Sequence, residues 1–220
     1  MDTKEKKSRW AFVLMTLAML MWMPRVSAQS FEYPEYSDGE RIVVKYQGSR
    51  PAISDFVTAF LNHSKEREFY DKAYSEWLRF LQKKQPGKNV SIIVDTRNGY
   101  MHYEIARPEE KDTIVMEMCF WNYADGKRKL VCASTYWAMD GEYGWGEFTG
   151  VSFFLFDNKT RTMRTVLPED IGALYDGDGI SVFFLPRQGK DIRVSVGGGG
   201  DRWNEVLEWD GYQFHSKEAP

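Results

Sequence analysis

Catalytic motifs are what this sequence has least of. It has no H-E-x-x-H and no other paired-histidine metal spacing, and no G-x-S-x-G nucleophile elbow. Histidines number three, His63, His102 and His215, and cysteines two, Cys119 and Cys132. Basic residues are not in excess. The 29 Lys and Arg face 32 Asp and Glu, a formal net charge of −3, so there is no general attraction to a phosphate backbone and nucleic acid is disfavoured as a partner. A second long apolar run is also missing, so only the N-terminus could be read as a membrane segment. No heptad array and no strong internal repeat occur, and the strand-rich region is too short for four propeller blades of about 40 residues.

What the N-terminus does have is the order of a secretory signal. Lys4, Lys6, Lys7 and Arg9 form a basic start, an apolar run follows from Trp10 to Met23, and Val26-Ser27-Ala28 puts small residues at the cleavage positions before Gln29. A spanning anchor needs roughly 20 apolar residues; this run is shorter and is closed by Pro24 and Arg25. No cysteine follows Ala28, which argues against lipoprotein processing. The reading is a signal peptide over 1–28, an aromatic and acidic extended segment over 29–40, and one domain over 41–220. Such a protein is exported: periplasmic, on the cell surface or secreted. The first 28 residues hold five basic and two acidic side chains, so the remaining 192 carry 24 Lys and Arg against 30 Asp and Glu.

In an oxidising compartment a cysteine pair suggests a disulfide before a metal site. The segments on either side of Asp125-Gly126 are strand-like, and Asp-Gly favours a two-residue type I′ turn. That turn places Cys119 opposite Cys132. Counting from a hydrogen-bonded 124–127 pair makes theirs a non-hydrogen-bonded pair, with Cα atoms about 4.5 Å apart and within disulfide reach. A disulfide between Cys119 and Cys132 is therefore expected, and free buried thiols are the alternative.

The remaining pattern changes once along the chain. Arg41 to Tyr46 reads as a short strand. Ile53, Phe56, Val57, Phe60 and Leu61 follow the spacing of one apolar helix face after Pro51. Ser64 reads as the cap of a second helix with Tyr70, Ala73, Trp77, Phe80 and Leu81 inward, ended by Pro86-Gly87. From Val90 onward, strand-like runs alternate with short turns at Asn98-Gly99, Asp125-Gly126, Asp157-Asn158-Lys159, Gln188-Gly189-Lys190 and Asp210-Gly211. Joints this short leave no room for crossover helices, so the strands pair antiparallel. The expected fold is α+β: two N-terminal helices packed on a long antiparallel meander, forming a curved sheet, a sandwich or a partly closed barrel.

Candidate sites are few. Tyr100, His102 and Glu104 share one strand face by alternation and offer acid–base chemistry, or a solvated face with a cross-strand partner. Asp176-Gly177-Asp178-Gly179 resembles part of a calcium loop, but Ile180 and Arg187 stand where such a loop needs oxygen ligands, so a tight turn is expected and no metal. The glycines 197–200 precede Asp201 and a strand, which suits a hairpin tip better than a phosphate loop. No cofactor is implied. The stretch 136–150 is the richest, with Tyr136, Trp137, Tyr143, Trp145 and Phe148 interleaved with Asp140, Glu142, Glu147 and four glycines. Exposed aromatics beside carboxylates suit stacking on sugar rings or gripping a protein; the alternative is that these rings fold back and cap the sheet.

The strings Cys119-Phe120-Trp121-Asn122-Tyr123-Ala124-Asp125-Gly126-Lys127-Arg128-Lys129-Leu130-Val131 and Leu207-Glu208-Trp209-Asp210-Gly211-Tyr212-Gln213-Phe214 carry a likeness that runs from Val90 to Phe214. With Ser152-Phe153-Phe154-Leu155-Phe156-Asp157 and the Leu185–Ile192 turn between them, they resemble uncharacterised exported proteins of Bacteroides-type bacteria. The resemblance implies an envelope or secreted location and no particular activity. The first expectation is a non-enzymatic binding module for a glycan or an envelope protein. The alternatives are a polymer hydrolase using carboxylates such as Glu142 and Glu147, and an inhibitor of a secreted enzyme.

Overall fold

The computed structural model describes residues 41–139, 142–144, 149–174, 181–196 and 205–219. The stretch read as a signal peptide, the 29–40 segment, Asp140, Trp145, Glu147, Phe148, Asp176, Asp178 and the glycines 197–200 lie outside the described residues.

A short strand, β1 (Arg41–Val43), comes first, so the helices are not N-terminal to the strands. Helix α1 (Ile53–Ser64) follows, then α2 (Glu68–Leu81). Ala52 has no side chain with which to cap α1. Asp55 reaches back instead and accepts the Ala52 N–H at 2.7 Å, while the Asp55 N–H donates to the Ala52 carbonyl at 3.1 Å. The expected inner stripe of α1 is buried throughout. Ser64 does not cap α2: it ends α1, and its carbonyl accepts the Arg67 N–H at 3.2 Å, which turns the chain. In α2, Tyr70, Ala73 and Trp77 are buried, but Leu81 is exposed. The Trp77 Nε1–H donates to Thr58 Oγ1 at 2.8 Å and ties the two helices together.

The other strands are β2 (Val90–Asp95), β3 (Tyr100–Arg107), β4 (Asp112–Asn122), β5 (Arg128–Met139), β6 (Glu142–Gly144), β7 (Gly150–Asp157), β8 (Thr162–Val166), β9 (Ser181–Phe184), β10 (Ile192–Val196), β11 (Glu205–Trp209) and β12 (Phe214–Glu218). All pair antiparallel, but not as one meander. Eight form a sheet in the order β1-β8-β7-β5-β4-β3-β2, with β6 also on β5, and four form a second sheet in the order β12-β11-β10-β9. The first sheet ends on β1 and β2, so no barrel closes among the described residues.

The two sheets and the helices make three layers, and β4 shows why its sequence does not alternate. Ile114, Met116 and Met118 face the helices together with Met101, Tyr103, Phe154 and Phe156. Cys119 and Trp121 face the second sheet, where Phe183, Ile192, Val194, Leu207, Trp209 and Phe214 complete a separate core. A strand buried on both faces reads as a nearly continuous apolar run. The bonds that join the sheets include Ser134 Oγ to the Phe183 carbonyl at 2.7 Å, Trp121 Nε1 to the Lys190 carbonyl at 2.8 Å, and the Ala124 N–H to the Gly211 carbonyl at 2.9 Å. Gly172, at φ +66°, lies against the same contact. A Cβ there would come within 2.4 Å of the Phe214 carbonyl oxygen, so the close approach and the left-handed backbone both require glycine.

No disulfide forms, which corrects the expectation for the cysteines. Cys119 is opposite Cys132 in register, although the expected two-residue type I′ turn does not form, since only Gly126 of the pair takes a positive φ; both cysteines are free and buried. The hydrogen-bond phase is the cause. Ala124 bonds to the second sheet, and the hairpin closes on Tyr123, whose N–H donates to the Arg128 carbonyl at 3.1 Å. Counting inward by twos from 123–128 makes 119–132 a hydrogen-bonded pair. Cβ atoms of such pairs lie toward the far end of a range of about 4.5–5.5 Å, whereas a disulfide needs them at about 3.5–4.5 Å.

Candidate functional site

Neighbours on a strand point to opposite faces, and this divides the aromatic stretch. Tyr136 is buried, with ring centroids 5.6 Å from Tyr143 and 5.3 Å from Phe184; Tyr143 and Phe184 are 4.7 Å apart, edge to face. Trp137 lies on the helix side, with the Arg107 guanidinium 4.6 Å over its ring. The structure therefore brings Tyr136 and Tyr143 together, sets Trp137 apart, and adds Phe184, which the sequence reading did not single out. Alternation along Val182-Phe183-Phe184-Leu185 assigns the two phenylalanines to opposite faces, but only the sheet pairing shows what each one touches.

Phe184 also begins a groove on the outer face of the second sheet. Phe184 pairs with Arg193, Arg193 with Val206, and Val206 with Lys217, which makes one row across all four strands. The row and the turn of residues 185–191 line a cavity of about 460 Å³. Four of its lining residues are cationic, Arg187, Lys190, Arg193 and Lys217, and one is a carboxylate, Asp191. Arg187 Nε bonds Asp95 Oδ2 at 3.2 Å, and Lys217 pairs with Glu208. No motif announces this groove, because the 185–191 turn meets Arg193, Val206 and Lys217 only through the register of the strands.

A third cluster gathers on the first sheet. Tyr100, His102 and Glu104 do share a face: Tyr100 Oη is 3.4 Å from His102 Nδ1, and His102 Nε2 is 3.4 Å from Glu104 Oε2. The cross-strand partner of His102 is Glu117. Its Oε1 accepts the Tyr100 hydroxyl at 2.5 Å and lies 3.6 Å from His102 Nδ1, while its Oε2 accepts the Leu185 N–H at 2.8 Å. Burial raises the Tyr100 hydroxyl pKa, and the Glu117 charge raises it further. Burial opposes charge on His102, but the bonds from Glu117 and Glu104 outweigh it and raise the imidazole pKa. Both Glu117 oxygens are committed, one of them to the second sheet, so the chief work of this network is to dock β9. Among the described residues no group of three or more His, Cys, Asp or Glu is placed to hold a metal ion.

No family model matches this chain, and no curated protein or solved structure matches it either.

Proposed function

We propose that this chain is an exported, non-enzymatic binding module whose ligand, a glycan or a protein of the cell envelope, lies in the groove on the outer face of β9–β12. The observation that carries the reading is the row Phe184–Arg193–Val206–Lys217, which sets apolar and polar side chains side by side in a concave surface. An apolar floor with a few placed polar groups is the make-up of a ligand site, and Tyr143 extends the aromatic side of that floor through Phe184. Glycoside hydrolysis uses two facing carboxylates; among the described residues the groove lining offers one, Asp191. The export part of the reading rests on the N-terminal signal order.

The test is a calorimetric titration of the purified protein with envelope and plant polysaccharides, alongside capture of envelope proteins. Both are repeated with Gln188→Trp, which places a large ring at an exposed lining position. Saturable binding that weakens at least tenfold in this variant is the expected result. Binding indifferent to Gln188→Trp would remove the groove from the reading.

A further inference from the structure

The geometry points to an acidic polysaccharide, one carrying carboxylate or sulfate groups at intervals along its chain, as the ligand of this groove; the inference rests on the groove being the binding surface. The chain as a whole is acidic, yet among the described residues the groove lining holds four cations and one carboxylate. The partners of Arg187 and Lys217, Asp95 and Glu208, are not part of the lining. The Lys217 and Glu208 side chains are both about half exposed, and an exposed pair of this kind is weak enough to exchange with a ligand's acid group; Arg187 is held by the more buried Asp95.

The lining runs the length of the row and the 185–191 turn, which gives an extended, polymeric ligand room to lie in it. Arg193 and Lys217 are two strands apart in the row, about 9–10 Å at the usual strand separation. The row therefore has room for two acid groups on one ligand, one at each of these cations. Beside them lies the half-buried Phe184, whose ring suits the C–H face of a sugar, while Val206 between them is buried and closes the floor.

The direction of the row disfavours an extended peptide that would add a strand to the sheet. Extended peptides are recognised along a sheet edge, parallel to the strands, where backbone bonds add a strand. A ligand following this row crosses the strands and has no such ladder to join.

The experiment compares polygalacturonate with its fully methyl-esterified form, dextran sulfate with dextran, and poly-glutamate, at low and high salt. Binding to polygalacturonate or dextran sulfate, at least tenfold weaker for the neutral counterpart and weakened by salt, is the expected result; which of the two binds identifies the acid group. The Arg193→Gln/Lys217→Gln variant should lose at least tenfold in affinity with an unchanged melting curve. Equal affinity for the neutral polymers would overturn the acidic ligand, while sensitivity to Gln188→Trp would still uphold the groove. Poly-glutamate bound as tightly as the glycans would overturn the glycan. Acidic-glycan binding unaffected by either variant would overturn the groove itself, and no binding to either acidic glycan would overturn this inference.

Discussion

Glu117 on β4 accepts the backbone N–H of Leu185, just past the end of β9, at 2.8 Å. One buried carboxylate thus caps a donor at the edge of the second sheet while also holding the Tyr100 hydroxyl. Glu117→Ala leaves both donors buried without an acceptor, and a loss of about 2–4 kcal/mol is expected. Glu117→Gln keeps one oxygen and should lose roughly half as much, by the lower net cost of a neutral hydrogen bond. Urea unfolding measures both; a change within experimental error for the alanine variant would show that the carboxylate does not hold the sheets together.

His102 makes this contact pH-dependent. Its folded pKa is raised above the ordinary value of about 6.5, so its contribution to stability is fully present below about 6.5 and is lost as pH rises through the folded value. The groups that face it are Tyr100 and Glu104 on its own strand and Glu117 on β4. Unfolding free energy should fall across that window in the native protein and stay flatter in His102→Gln. An imidazole titration by NMR at or below the ordinary value would contradict the arrangement.

The cysteines give a direct count. Both thiols are buried, and burial, with neighbouring groups adding to it, pushes their pKa values well up, so little thiolate is available to react. A thiol reagent should modify neither in the native state and both after denaturation without reductant. Modification of neither under denaturing conditions would reveal a disulfide and contradict the hydrogen-bond phase.

Much of this fold is legible in the sequence because the relevant signals are local. Helical spacing from Ile53 to Leu61 and from Tyr70 to Trp77 marks the buried faces of both helices. The turn residues between Val90 and Phe214 mark nearly every strand, and Asp125-Gly126 sets the register that places Cys119 across from Cys132. The strand β6 escaped notice because Glu142-Tyr143-Gly144 has no alternation to show.

What the sequence determines by itself, then, is the order of the two helices and of most strands, their antiparallel pairing and the register that sets Cys119 opposite Cys132, since each depends on residues a few positions apart. Tertiary structure alone decided that the strands divide into two sheets, that the Ala124–Gly211 bond shifts the hairpin phase and leaves the thiols free, and that Phe184, Arg193, Val206 and Lys217 line up in one groove. Those outcomes depend on contacts between segments far apart in the chain, and local periodicity carries no information about which distant strand a residue will face.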